Sequence, residues 1–285
     1  MGLKRCLKKM ANYILFSEPK QIVKVECGQI KNGELLKNKN IVITGGNRGL
    51  GYAMAKRCVE EGANVIIAGR NMESLKEAKE SLGDNCHYIQ FDISDIEKDN
   101  TFLRECENTF KAPIDSLVNN AGISLHEGDL FNVTEDSYDK QMNTNLKGTY
   151  FLSQAFLKYK IEQNTKDEVQ NSNSNLLIIS SQVADLPSEI PYGLTKAALN
   201  SFIKALAKKY YQNGIRVNAV SPGVTISDMT REYADVNGGN MWSNDNSGRY
   251  FIPEEVAEIV IFLLSSASIC INGEIIHCNA GNHIK

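Results

Sequence analysis

The sequence predicts an α/β fold: a doubly wound parallel sheet with helices on both faces, in a single domain. Three observations carry this. Short β-branched runs recur along the chain, helical patterns lie between them, and most of the runs are continuously apolar. Continuous runs suit strands covered on both faces, as parallel sheets require. Repeated β-α alternation with short connections is the pattern of a doubly wound layer structure.

Strands are expected at 40–44, 64–69, 87–92, 116–122, 175–181, 215–223 and 274–280, and helices at 50–62, 72–82, 95–110, 135–162, 192–212 and 253–266. Residues 1–37 stand apart as an N-terminal extension to a domain of 38–285. Their start places Leu3, Leu7, Met10 and Ile14 on one face of a basic amphipathic helix. That face is expected to pack on its own domain or a sister subunit rather than on a membrane. Residues 162–175 are polar without an apolar period and are expected to form a surface loop.

Composition narrows the function. The chain has 285 residues, 42% hydrophobic, so it can bury a sizeable core. Its net charge of −3 argues against a nucleic-acid partner. Seven cysteines at 6, 27, 58, 86, 106, 270 and 278 include no C-x-x-C pair, and the four histidines do not cluster with them. This argues against a metal site and for reduced, buried thiols in a cytoplasmic protein. The apolar stretch at 259–264 is far short of the ~20 residues of a membrane span. Lys4, Arg5, Lys8 and Lys9 interrupt what would be a secretory signal core.

The first strand runs into T-G-G-N-R-G-L-G at 44–51. Gly45, Gly49 and Gly51 do not follow the common G-x-G-x-x-G spacing, and no G-K-[ST] closes a P-loop. Between a buried strand and an Ala-rich helix, such a turn admits a pyrophosphate to the backbone and to the helix N-terminus. The second strand ends I-I-A-G-R-N, which puts Arg70 where an NAD site carries an acidic residue. A guanidinium grips a 2′-phosphate that a carboxylate would repel. Arg48 is placed to flank the same phosphate and Asn71 to add a hydrogen bond. NADP(H) is therefore expected in preference to NAD(H).

Tyr192 and Lys196 form a Tyr-x-x-x-Lys pair, which a helix puts on one face. A nearby ammonium is expected to lower the phenol's pKa and make it a proton donor and acceptor. The chain has a second such pair, Tyr52 and Lys56, in the helix after the glycine turn, with no strand-end serine before it; that pair is read as structural. Tyr192 lies eleven residues after Ser181. Ser180 and Ser181 alternate at a strand end, so one of them should face the site and stabilise a charged oxygen. The strand end N-N-A-G at 119–122 offers a small-residue shelf for a ribose. Asn145 lies within a helical pattern and is a candidate to hold a water.

The ordered set T-G-G-N-R-G-L-G, F-D-I-S, N-N-A-G, Asn145, I-S-S, Y-G-L-T-K and S-P-G-V-T resembles the short-chain dehydrogenase/reductase family, over residues 39–285. The resemblance implies a Rossmann-like fold and a hydride-transferring oxidoreductase of the CH–OH/C=O class. It implies that Tyr192 protonates the carbonyl oxygen, that Lys196 tunes it and binds the nicotinamide ribose, and that Ser181 orients the carbonyl, with Ser180 as the fallback. Asn145 would support a water relay. The cofactor would lie against Gly45, Asn47, Arg48, Gly49, Leu50, Gly51, Arg70, Asn71, Asp92, Ile93, Asn119, Ala121, Gly122, Tyr192, Lys196, Pro222, Gly223, Val224 and Thr225. The Ser181–Tyr192 interval is a little shorter than the family's usual one.

The C-terminal part resembles the branch of 3-oxoacyl-thioester reductases. In that reading Lys158, Lys160 and Lys208 are candidates to receive an acyl-carrier protein; a solvated helix face is the alternative. The segment 226–250, with Trp242, is expected to cover the pocket, and its Asn-rich polarity hints at a hydroxylated substrate. A non-catalytic NADP-binding scaffold is the rival class. Family members are often dimers or tetramers, so a homo-oligomer is expected.

Overall fold

The computed structural model describes residues 33–166, 174–227, 229–230, 241–243 and 245–284. Nearly all of the N-terminal extension and much of the expected pocket cover lie outside the described residues. Seven strands form the sheet: β1 (Asn40–Thr44), β2 (Asn64–Gly69), β3 (Cys86–Gln90), β4 (Ser116–Asn119), β5 (Ser174–Ile179), β6 (Ile215–Pro222) and β7 (Ile275–Cys278). Their order is β3-β2-β1-β4-β5-β6-β7, and every pairing is parallel. The helices are α1 (Gly49–Glu60), α2 (Met72–Leu82), α3 (Asp99–Phe110), α4 (Glu135–Gln141), α5 (Thr149–Lys166), α6 (Pro191–Tyr210) and α7 (Pro253–Leu264).

Strand alternation divides the core into two layers. Ile41, Ile43, Val65, Ile67, Val118 and Val220 pack on one face with Met54, Leu75 and Val260 from α1, α2 and α7. Val42, Ile66, Leu117, Leu176 and Val217 pack on the other with Phe102, Phe156 and Ile203 from α3, α5 and α6. Covering both faces is what made these strands read as unbroken apolar runs. Arg57 ties α1 to α7: its Nε donates to Glu258 Oε1 at 2.5 Å and its Nη2 to the buried Glu61 at 2.9 Å. The backbone N–H groups of Leu35 and Leu36 donate to Glu61, which seats the buried Leu36 in the core.

Two expected elements differ. The single helix read at 135–162 is three segments, because a π-helical turn at Met142–Gly148 separates α4 from α5. At its end, a Cβ on Gly148 would stand 2.3 Å from Ile93 O, so the turn packs on the loop after β3 more closely than an ordinary residue allows. Periodicity alone does not register one extra residue in a turn, and π-turns of this kind concentrate at functional sites. The loop expected at 162–175 is shorter, since α5 continues to Lys166 and β5 already begins at Ser174. The remaining residues of that loop lie outside the described residues.

Asp99, at the start of α3, is buried, and its Oδ1 has no hydrogen-bond partner among the described residues. Burial, with the charge of Asp95 added, pushes its carboxyl up to about 7. The folded state therefore holds a proton that the unfolded chain releases near the ordinary carboxylate value. Stability falls as pH rises between those two values, and the full penalty, at most about 4 kcal/mol, is present above pH 7. Asp99→Asn is expected to raise the urea midpoint at pH 8, with the gain shrinking toward pH 4. Equal midpoints at pH 8 would show that the carboxylate is not penalised.

Candidate active site

The chain leaves β1 toward β2 on one side and later returns to β4 on the other. The carboxyl ends of β1 and β4 thus diverge into a crevice, the usual ligand position in an open α/β sheet. The cleft there has a volume of about 630 Å³, with the glycine turn toward one end and Ser181 and Tyr192 toward the other. A Cβ on Gly51 would lie 2.0 Å from Gly45 O and 2.6 Å from Asn120 Nδ2, so α1 starts in contact with the turn. The side chain of Arg48, the N-cap residue, makes no capping hydrogen bond to α1. The first N–H groups of the helix are left for an anion, and this donor set fits a dinucleotide pyrophosphate.

Asn120, passed over in the sequence, holds the turn in place. Its Nδ2 donates to Thr44 O at 2.9 Å and Gly45 O at 3.1 Å, while Thr44 Oγ1 accepts from the N–H groups of Asn120 and Ala121. Asn119 does not frame the cleft as expected. It is buried on the opposite side, donating to Ser153 Oγ at 2.9 Å. Neighbouring strand-end residues face opposite ways; the paired asparagines were the available signal, and they did not say which one faces in.

Arg70 is exposed on the rim at the end of β2 and has no carboxylate partner among the described residues. Asn47, Arg48, Gly49 and Leu50 line the cleft beside it, with Asp92 and Ile93 further along. Asn71 also lines it, but its Oδ1 is committed to capping α2, accepting from Ser74 N at 2.9 Å. Asp92 Oδ1 accepts from Ser94 N and Oγ at 2.9 and 2.7 Å, which steadies the carboxylate at the cleft edge. Pro222, Gly223, Val224 and Thr225 form the wall beyond β6.

At the far end, Pro191 opens α6, a position where its missing N–H costs nothing. Tyr192, Lys196 and Asn200 then fall on one helix face. Ser181 and Tyr192 line the same end of the cleft, and the Ser181 hydroxyl pulls the phenol's pKa down. Ser180 also lines the cleft, but it is buried and its hydroxyl is committed to Asn200 Oδ1, to which it donates at 2.6 Å. Lys196 Nζ donates to Ile179 O at 2.8 Å and lies 5.7 Å from the Tyr192 ring. Asn145 sits in the π-turn with its amide fully used: Oδ1 accepts from Ile123 N and Nδ2 donates to Ile123 O, both at 2.8 Å. It pins the loop after β4, and a Cβ on Gly122 would touch both Asn145 and Lys196. Tyr52, in the second Tyr-x-x-x-Lys, pairs instead with Ser81 at 2.7 Å.

The electrostatics differ from the expectation of an acidified phenol. Burial pushes Tyr192 above its ordinary value, against the pull of the Ser181 hydroxyl. Burial also lowers Lys196 to about 8. Desolvation disfavours the charged form of both groups and here outweighs their neighbours. Near neutral pH the phenol keeps its proton and is ready to donate it.

A family model described as enoyl-(acyl carrier protein) reductase matches residues 45–283. The chain belongs to the short-chain dehydrogenase/reductase family. It is 33% identical over 254 residues to a 3-oxoacyl-[acyl-carrier-protein] reductase of Chlamydia trachomatis, covering 87% of this chain and 98% of that one. It is 31% identical to an L-rhamnose 1-dehydrogenase (NADP(+)) of Thermoplasma acidophilum, covering 83% and 93%. A crystal structure of 3-ketoacyl-(acyl-carrier-protein) reductase from Brucella melitensis, complexed with NADH, matches with a TM-score of 0.78 at 26% identity, covering 87% of this chain and all of that one. The Rossmann-like sheet seen here is the family's fold.

Within this family member, three further details depart from expectation. Lys160 is no surface docking residue: it is buried and donates to Ile114 O at 3.0 Å. Lys158 and Lys208 are exposed. Cys58, Cys86 and Cys106 are buried free thiols, but Cys270 is exposed. Trp242, described at the edge of the expected cover, bridges to Arg249 and does not line the cleft. Among the described residues no cluster could hold a metal ion, and no helix is long and apolar enough to cross a membrane.

Proposed function

We propose that the protein is an NADP(H)-dependent oxidoreductase that reduces a carbonyl to a secondary alcohol, or runs the reverse, with Tyr192 as general acid and base. One observation carries this reading. Ser181, Tyr192 and Lys196, the last one helical turn beyond the tyrosine, share a cleft with the helix N-terminus at the glycine turn. A nicotinamide cofactor, when bound, supplies or accepts the hydride. Ser181 orients the substrate oxygen and stabilises charge developing on it. Tyr192 gives that oxygen its proton. Lys196, still largely protonated at neutral pH, favours the phenolate left behind, and the water relay past Asn145 returns the proton.

NADPH and NADH oxidation by the purified protein, over a panel of ketones, aldehydes and acyl thioesters, tests this. Tight NADPH binding with no carbonyl reduced would overturn it in favour of a scaffold. A narrower reading, as a 3-oxoacyl-thioester reductase, is favoured by the names of relatives such as the Chlamydia trachomatis protein. It would need carrier docking through Lys158 and Lys208 without Lys160. The expected working form is a homodimer or homotetramer in the cytoplasm.

Cofactor choice is assigned to Arg70. Loss of a charge-assisted hydrogen bond costs about 1.5–3 kcal/mol. Arg70→Asp is therefore expected to raise the KM for NADPH by roughly 10- to 100-fold while leaving that for NADH nearly unchanged. Equal losses with both cofactors would remove the phosphate role.

A further inference from the structure

The cleft is lined by polar side chains from two separate loops, and both offer acceptors. In one stands Gln182, directly after Ser181 and lining the cleft. Its Oε1 is buried without a hydrogen-bond partner among the described residues. A buried acceptor left unpaired is unfavourable, so a ligand that brings a donor gains twice: it makes a bond and removes a penalty.

In the other, the loop that Asn145 pins, stands Ser124. The His126 Nε2 lies 2.9 Å from Met229 O, and a carbonyl can only accept, so this ring nitrogen carries the proton. In the neutral ring, Nδ1 then holds a lone pair. It lies 3.4 Å from Ser124 Oγ, so the serine O–H turns toward the histidine. The serine oxygen is left to the cleft as an acceptor. His126 thereby sets the polarity of Ser124 while tying its loop to the segment that begins the pocket cover.

We propose that the substrate is a polyhydroxylated carbonyl compound, such as a ketose, whose hydroxyls donate to Gln182 Oε1 and Ser124 Oγ. This rests on the reading of the cleft as a carbonyl-reducing site and adds the substrate class. A 3-oxoacyl thioester has methylene or substituted carbon beside its keto group and no O–H there, so it leaves both acceptors unpaired. A site built to bond a substrate hydroxyl discriminates strongly against the analogue that lacks it.

The test compares erythrulose and fructose with butan-2-one, hexan-2-one and a simple acetoacetyl thioester, using the full-length protein with NADPH and, separately, NADH. The kcat/KM for the hydroxylated ketones is expected to exceed that for the plain ketones by about 100-fold or more. Gln182→Leu is expected to cut that ratio by about 10-fold while changing the plain-ketone rate little. The plain-ketone rate also shows that the variant is folded. Plain ketones or the thioester turned over as well as the ketoses, or an unchanged ratio in Gln182→Leu, would overturn the hydroxyl assignment and leave the carbonyl-reductase reading standing. If no carbonyl of any class is reduced, both fall.

Discussion

Tyr192→Phe is expected to lower kcat/KM for carbonyl reduction by about 10²- to 10⁴-fold, the usual worth of a positioned general acid. The substitution removes one oxygen and keeps the ring, so packing at the start of α6 should survive. Ser181 loses its phenol partner but keeps its own contact with Val183 N. NADPH binding, followed by fluorescence, and the thermal midpoint should stay close to the parent values. The parent's pH profile carries the same information. Tyr192 is pushed up and Lys196 sits at about 8, so reduction should be flat near neutrality and fall as pH rises past about 8. Alcohol oxidation, which needs the phenol deprotonated, should gain only at still higher pH, because burial holds Tyr192 above its ordinary value. A Tyr192→Phe variant with more than a tenth of parental activity would remove the phenol from the chemistry.

Arg216→Met should cost about 3–5 kcal/mol of stability, since each buried acceptor left unpaired costs about 1–3 kcal/mol and several are orphaned together. Arg216 lies in β6 and is buried. Its Nη1 donates to Ser268 O, Ser268 Oγ and Ile271 O at 2.9, 3.2 and 3.1 Å, and its Nη2 to Leu263 O at 2.9 Å. These carbonyls are at the C-terminal end of α7 and the turn after it, where the helix dipole is negative and intrahelical donors have run out. The planar fork satisfies several of them at once from one side chain. Methionine matches the stem and supplies no donor, which leaves buried acceptors orphaned. Urea unfolding monitored by circular dichroism reads the loss directly. Arg216→Lys, with a compact ammonium, should recover only part of it. A midpoint within experimental error of the parent in Arg216→Met would show that the network is dispensable.

Most of the fold was legible because its signals are local. Runs such as I-V-I-T and N-V-I-I-A-G announce strands covered on both sides, and β1 and β2 lie where those runs were read. The glycines of the first turn were legible because only glycine tolerates the 2.0 Å approach at Gly51. The π-turn was not, since one extra residue leaves the apolar period almost unchanged. Arg216 gave no sign of its role, because its partners lie 47 to 55 positions away in sequence.

The candidate site divides along the same line. Spacing placed Tyr192 and Lys196 on one helix face, since i and i+4 coincide on any α-helix. It also placed the glycines beside a helix start. The chain order could not say which of Ser180 and Ser181 has its hydroxyl committed to Asn200, or which of Asn119 and Asn120 meets the cleft. Each pair alternates across a strand, and which side is the cleft depends on the helices that cover the sheet. Nor could it give the protonation balance: whether a phenol near an amine is acidified or held neutral depends on how much water reaches both. Local geometry is written in neighbouring residues, whereas facing and desolvation arise only when distant segments pack together.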